Sequence, residues 1–81
     1  MHEYSLVGAL VERVEAEAKK AGARSVERIQ VKIGDQAGVE RELFATAFDT
    51  FKQGVCGGAA LEIVRAPGDE ILLERIEMEV P

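Results

Sequence analysis

The nine residues at 25–33, SVERIQVKI, alternate between apolar and polar side chains along most of their length. Ile29, Val31 and Ile33 share one side of an extended chain, and polar residues separate them. A period of two with β-branched residues is typical of a strand that buries one face. The sequence therefore predicts a half-buried strand, against which the rest of the chain must pack.

A helical pattern precedes this strand. We expect a helix from Ser5 to Lys20, in which Ser5 caps the first turn and Gly22 ends the last. The apolar residues recur at the spacing that places them on one helix face. These residues are Leu6, Leu10, Val14 and Ala18, with Val7, Ala9 and Val11 beside them.

A second helical pattern follows the strand, after a loop at 34–38. It runs from about Val39 to Gln53, and Gly54 is expected to end it. The residues on its apolar face, which we expect to lie in the core, are Phe44, Ala47, Phe48 and Phe51.

The last third of the chain predicts two strands. Residues 60–64 form the first, and Pro67-Gly68-Asp69 then indicates a turn. Glu74 interrupts the apolar alternation of the second strand, which predicts a bulge or an edge position there. The apolar face of this second strand, from Ile71 to Val80, consists of Leu72, Ile76, Met78 and Val80.

These elements predict an α+β fold in the order helix, strand, helix, strand, strand. The simplest arrangement that buries every apolar face is a small mixed three-stranded sheet packed against two helices. We expect the strand–helix–strand unit to be parallel and right-handed, and the last two strands to pair antiparallel. The 81 residues are expected to form a single domain spanning 1–81.

Composition excludes several classes of function. The 15 acidic and 10 basic residues give a net charge of −5, which argues against nucleic-acid binding. The start of the chain, MHEYSL, resembles no secretion signal, and no apolar run is long enough to span a membrane. Cys56 is the single cysteine, so it forms neither an internal disulfide nor a cysteine-rich zinc site. We therefore expect a cytoplasmic protein.

The small number of potential catalytic side chains argues against an enzyme. The chain has one histidine and one cysteine, and any catalytic triad would have to use His2 at the terminus. No glycine-rich phosphate loop opens a helix. Cys56 lies in a glycine-rich segment and is interpreted as a small packed side chain rather than a thiolate ligand.

The first residues form a potential chelate for nickel. The Met1 amine and the deprotonated amide of His2 close one ring around a metal, and Nδ1 of the His2 imidazole closes a second. These nitrogens are nearly coplanar, which suits Ni(II) or Cu(II) better than tetrahedral zinc. Glu3 could complete the plane. A histidine at position 2 is also compatible with an exposed terminal residue that has no function.

Several segments of the chain resemble the HypA family of nickel metallochaperones. The start MHE, the strand end IG and the helix FATAFDTF are specific as a set, and about four-fifths of the chain aligns without a gap. The resembling segments are MHEYSL at 1–6, EAKKAGA at 17–23, VERIQVKIGDQAGV at 26–39, ELFATAFDTFKQG at 42–54, ALEIV at 60–64 and ERIEMEV at 74–80.

The resemblance implies a protein that binds Ni(II) and delivers it for maturation of [NiFe] hydrogenase and, in some bacteria, urease. The implied nickel ligands are Met1, His2 and Glu3, and Glu40 occupies a position that is often acidic near the metal. The implied partners are a hydrogenase maturation GTPase, the hydrogenase large subunit or a urease accessory protein.

The chain departs from the family pattern in one respect. Family members carry a zinc module with two Cys-x-x-Cys pairs between the last two strands, whereas here residues 65–70 make a tight turn. No zinc is therefore expected.

Two further expectations concern association. The alternative function is an interaction module that docks on a maturation partner through its sheet and helices, with an incidental terminus. Because an exposed edge strand and a short hinge favour strand exchange, the chain is predicted to be a monomer or a strand-exchanged dimer.

Overall fold

The sheet is built around β1 (Ser25–Gly34) in the computed structural model, which describes residues 3–81. β2 (Ala60–Ala66) lies parallel to β1 on one side, and β3 (Ile71–Glu79) lies antiparallel to it on the other. The helices are α1 (Glu3–Ala21) and α2 (Arg41–Phe51), and a 3₁₀ turn spans Gly54–Cys56. The predicted α+β class and element order are confirmed.

α1 begins earlier than the sequence pattern predicts. Ser5 lies inside its first turn, so the expected cap at Ser5 is wrong. The C-terminal end is as expected, because Gly22 adopts a left-handed φ of 68°. The amides of Gly22 and Ala23 donate to the carbonyls of Lys19 and Ala18, which is the Schellman arrangement that closes a helix.

α2 is shorter than expected and ends at Phe51, since Lys52 is already extended. Phe44, Ala47 and Phe48 are buried as predicted. Phe51 is 38% exposed, so its predicted place in the core is wrong. It belongs to the final turn of the helix, where the packed face no longer covers it.

The core lies between the helices and the inner face of the sheet. Phe44 and Phe48 are its largest side chains, and each contributes about 1.5–3 kcal/mol by leaving water. The other buried residues come from α1, β1, α2 and the segment before β2. They are Val7, Val11, Val14, Ala18, Val26, Ile29, Val31, Ile33, Ala47, Cys56 and Ala59.

A bulge at Glu74 changes the face of the sheet to which each side chain in the first part of β3 points. Gln30 of β1 pairs with Arg75, but the next residue, Val31, pairs with Leu73, so Glu74 has no opposite residue. The interruption predicted at Glu74 is confirmed. It turns Leu72 outward, where it is 45% exposed, so the prediction that Leu72 shares a face with Ile76 is wrong.

The two last strands do not pair with each other, which corrects a second prediction. β3 pairs with β1, and the segment 67–70 crosses the end of β1 to reach its far side. Two strand spacings amount to roughly 10 Å, which four extended residues can span. The amide of Gly34 donates to the carbonyl of Glu70, and that of Gln36 donates to the carbonyl of Gly68. Residues 67–70 therefore form a crossing connection rather than a hairpin turn, and Arg65 and Ala66, which were predicted to belong to the turn, still belong to β2.

No helix within residues 3–81 is both long enough and apolar enough to cross a membrane.

Candidate metal centre at the start of the first helix

Of the four residues predicted at the nickel site, Met1 and His2 lie outside the described residues, and Glu3 and Glu40 lie within them. Glu3 opens α1 and is half-buried. Its carboxylate oxygen Oε2 accepts a hydrogen bond of 3.0 Å from the backbone amide of Glu40. The fold therefore brings together two predicted site residues that are 37 positions apart in the chain.

Glu40 occupies the N-cap position of α2. Its backbone is extended, with φ −86° and ψ 119°, and its carbonyl accepts the amide of Phe44 at 3.0 Å. Its own carboxylate makes no capping hydrogen bond, and the side chain is exposed. The carboxylate of Glu3 thus lies at the amino end of α2, where the helix dipole stabilises negative charge.

A pair of ion contacts fixes the loop beside this position. Asp35, at the end of β1, lies 3.6 Å from Arg41 and 3.1 Å from Arg65 through the same oxygen, Oδ1. Arg41 is the first residue of α2, and Arg65 lies near the end of β2. Asp35 therefore ties the start of α2 to the point where the chain leaves the sheet to cross β1.

The sequence pattern missed the role of Asp35. Residues 34–38 indicated only a loop, because the proximity of Arg65 depends on the parallel pairing of β1 with β2. In that pairing Ile33 is opposite Arg65, which brings the guanidinium to Asp35. Knowing the register in advance would have located this contact.

The described part of the chain offers no second metal site. Residues 3–81 contain no group of three or more metal-binding side chains. Cys56 is fully buried in the 3₁₀ turn, and burial, assisted by the charge of Glu15, raises the pKa of its thiol. A neutral buried thiol is a poor metal ligand, which fits its interpretation as a packed core residue. His2, the single histidine, remains the sole source of an imidazole ligand.

Comparison with known proteins identifies the family. Residues 1–77 match the family described as hydrogenase/urease nickel incorporation, metallochaperone, hypA. The hydrogenase maturation factor HypA of Shewanella baltica (strain OS195) is 47% identical over 68 residues, which cover 83% of this chain and 58% of that protein. The hydrogenase/urease maturation factor HypA of Helicobacter pylori (strain ATCC 700392 / 26695) is 40% identical over 81 residues, covering 98% of this chain and 62% of that protein.

Solved structures agree with this assignment. The solution structure of the Ni metallochaperone HypA from Helicobacter pylori matches with a TM-score of 0.89 and 28% identity, covering 100% of both chains. A second HypA solution structure matches with a TM-score of 0.70 and 34% identity, covering 93% of this chain and 71% of the other. This chain spans about three-fifths of the length of the curated relatives that it matches. It belongs to the HypA family, whose members are hydrogenase/urease nickel-incorporation metallochaperones and not enzymes.

Proposed function

We propose that this chain binds Ni(II) at its N-terminus and delivers it for the maturation of [NiFe] hydrogenase, with urease as a second destination. The proposed ligands are the Met1 amine, the amide and imidazole of His2, and Glu3. The observation that carries the proposal is the hydrogen bond from the Glu40 amide to the Glu3 carboxylate. It fixes the third residue of the chelating segment against a rigid helix end.

The contact matters because a chelate gains affinity when its donors are held in place. Without it, Glu3 would sample several rotamers at the start of α1, and nickel binding would have to restrict them. Glu40 acts beside the metal through its backbone amide. Its exposed carboxylate is proposed to orient the His2 ring as an outer partner.

Binding through a deprotonated amide and a neutral imidazole makes nickel affinity depend on pH. Protons compete with the metal at both groups, so affinity falls as the pH falls through the range of His2. A terminal segment with an exchangeable ligand set also suits stepwise transfer to an acceptor. The proposed acceptors are a hydrogenase maturation GTPase, the hydrogenase large subunit or a urease accessory protein, all in the cytoplasm.

The decisive experiment is a Ni(II) titration followed by optical absorption. It compares a protein that begins at Met1 with one that carries two extra residues before Met1. We expect one equivalent of nickel with a planar-nickel spectrum for the first protein, and loss of that spectrum for the second. The His2→Ala variant should also lose it, whereas Glu27→Gln, which removes a charge on β1, should not.

Equal binding by both forms, or by neither, would rule out the terminal site. The alternative function, an interaction module that docks on a maturation partner, would then account for the chain better. Partner binding that is unchanged by nickel and by His2→Ala would point in the same direction.

A further inference from the structure

A cleft of about 520 Å³ separates α1 from the end of α2, on the face of α1 that begins next to Glu3. The α1 residues that line it recur every third or fourth position and therefore form one stripe along the helix. Of the proposed nickel-site residues that the structure describes, neither Glu3 nor Glu40 lines the cleft. The lining residues on which its chemistry depends are Tyr4, Gly8, Glu12, Glu15, Phe51 and Gln53.

Two aromatic rings form one wall of the cleft. Tyr4 and Phe51 meet edge to face, with centroids 6.0 Å apart and ring planes at 61°. They remain 48% and 38% exposed, although aromatic side chains contribute most when they are fully covered. Gly8 lies beside this wall, since a Cβ there would be in ordinary van der Waals contact with the Phe51 ring at 3.8 Å. The rings therefore offer an apolar surface that nothing within residues 3–81 covers.

Two carboxylates that make no ion pair within residues 3–81 also line the cleft, on the same stripe of α1 as Tyr4 and Gly8. Neither Glu12 nor Glu15 makes an ion pair with any residue from 3 to 81, although acids on the sheet are paired with arginine or lysine. Glu15 is half-buried, and its carboxylate lies against the 3₁₀ turn, 3.9 Å from the position of a Cβ at Gly54. A partly desolvated carboxylate that lacks a counterion attracts a cation more strongly than a fully solvated one does.

We propose that this cleft is a docking site for an arginine side chain presented by a partner protein. A guanidinium is planar, stacks on aromatic rings, and pairs with carboxylates through several donors. The cleft supplies both kinds of group: the Phe51 ring lies 3.8 Å from the position of a Cβ at Gly8, and Glu12 and Glu15 follow Gly8 about one and two turns further along α1. Lysine fits less well, because its compact, strongly hydrated ammonium gains less from stacking.

Only the Tyr4 end of the cleft lies beside the proposed nickel segment, since Tyr4 directly follows Glu3. This proposal does not depend on metal binding, however, because the groups proposed to hold the arginine are the side chains of Tyr4, Phe51, Glu12 and Glu15, none of which is a proposed nickel ligand. The test is therefore performed with the metal-free protein in EDTA. It can fail while the nickel site stands, and the reverse is equally possible.

The experiment is a two-dimensional NMR titration of the ¹⁵N-labelled full chain at low ionic strength with N-acetyl-arginine amide. We expect saturable shifts of the amides at Tyr4, Gly8, Glu12, Glu15 and Phe51, with a dissociation constant in roughly the millimolar range for so small a ligand. N-acetyl-citrulline amide has nearly the same shape without the charge and should produce no saturable shift. N-acetyl-lysine amide should bind more weakly than the arginine probe.

Two variants identify the groups responsible. Glu15→Gln should weaken binding about two- to fivefold, as expected for the loss of one partly exposed ion pair, and Phe51→Leu should abolish the preference for arginine over lysine. Glu27→Gln makes the same charge change on β1 and should have no effect.

Three results would overturn the proposal. The first is a set of shifts spread over all acidic surfaces and unchanged in Glu15→Gln. The second is equal binding of the lysine and arginine probes. The third is a concentration-dependent shift of the cleft amides in the absence of any probe, which would assign the cleft to a second copy of this chain.

Discussion

Single residues decide the geometry of the candidate nickel site. Glu40 was selected from the sequence as an acidic residue near the metal, yet the contact that it makes with Glu3 uses its backbone amide. The two contributions of Glu40 can therefore be separated. A change of its side chain removes the carboxylate and leaves the hydrogen bond to Glu3 in place.

This separation predicts an order of effects on nickel affinity. Glu3→Gln removes both the charge of a proposed ligand and the charge-assisted character of its hydrogen bond, and we expect affinity to fall about 10- to 100-fold. Glu40→Gln keeps the amide donor, so the loss should be smaller, less than about tenfold. Competition titration with a chromogenic nickel chelator measures both losses.

Glu42→Gln is the matched control, because it removes a carboxylate from the first turn of α2 and should leave affinity nearly unchanged. A loss for Glu40→Gln that equals or exceeds the loss for Glu3→Gln would contradict the assignment. The carboxylate of Glu40 would then be a direct ligand.

Cys56 provides a prediction about stability and pH. Burial, and secondarily the charge of Glu15, raise the pKa of its thiol above the ordinary 9.0. The folded protein therefore holds this proton to a higher pH than the unfolded chain does. The resulting stabilisation is complete below about pH 9 and is lost as the pH rises through the folded pKa.

Urea unfolding of the native protein and of Cys56→Ala, compared from about pH 7 to pH 10.5, tests this effect. The variant loses about 1 kcal/mol from the smaller core side chain at neutral pH, and the difference between the two proteins should shrink as the pH rises. A difference that stays constant across this range, or rapid labelling of the folded thiol at pH 8, would refute it.

At the residue scale, the sequence could propose donors but not contacts. Met1 and His2 are proposed ligands because their chelate is local, and the family resemblance adds Glu3. The hydrogen bond between Glu3 and Glu40 and the ion pairs of Asp35 join distant segments. They depend on where α2 and β2 lie, which no local pattern contains.

The sequence predicted the type of each secondary-structure element well. It predicted less well which side chains of a strand are buried and which strands pair. The alternation of β1 and the helical spacing of α1 and α2 are confirmed because periodicity reflects burial directly. The facing of Leu72 was wrong, since a bulge at Glu74 shifts the phase by one residue. The sequence indicated either a bulge or an edge position at Glu74, and only the pairing of β3 with β1 shows that the phase shifts there.

The pairing of β3 was wrong for a different reason. Pro67-Gly68-Asp69 resembles a hairpin turn, and adjacent strands usually pair. Here β1 is the most deeply buried strand, because its central place between β2 and β3 covers the inward residues Val26, Ile29, Val31 and Ile33, which are at most 2% exposed. Burial of the central strand therefore outweighs the local preference for a hairpin.

The crossing connection predicts an intolerance at Gly34. A Cβ at this position would overlap the carbonyl of Gly68, whose backbone passes over the end of β1. We expect Gly34→Ala to lower the free energy of unfolding by about 1–3 kcal/mol, as other overpacked sites do. Urea denaturation followed by circular dichroism measures the loss.

Gly58→Ala is the control for this prediction, because a Cβ there meets nothing within 4 Å and Gly58 does not have a left-handed φ. Its stability should change by less than about 0.5 kcal/mol. If the two substitutions cost the same, the crossing segment does not pack against Gly34 in solution.

At the scale of the whole molecule, 79 residues from 3 to 81 pack with a radius of gyration of 12.3 Å, near the roughly 12 Å expected for a folded chain of this length. All three strands of the sheet come from one chain, because the segment 67–70 crosses the end of β1 and lets β3 pair with β1 of the same chain. The oligomeric state remains a prediction, and size-exclusion chromatography over a range of concentrations would distinguish the monomer from the strand-exchanged dimer.

Metal selectivity is the prediction that involves the whole chain. Because residues 3–81 hold no cluster of metal-binding side chains and Cys56 is buried, the nitrogen-rich terminus is the site at which any tightly bound metal should be found. Planar nitrogen donors suit Ni(II), whereas zinc prefers a tetrahedral set of thiolates and imidazoles. We therefore expect one retained nickel per chain and substoichiometric zinc after dialysis against an equimolar mixture of the two metals, measured by elemental analysis.

Cys56→Ala should retain the same metals as the native protein, and His2→Ala should retain neither nickel nor zinc. Stoichiometric zinc that survives in His2→Ala would locate a metal site elsewhere in the chain, and the crossing connection could then not be understood as the replacement of a zinc module.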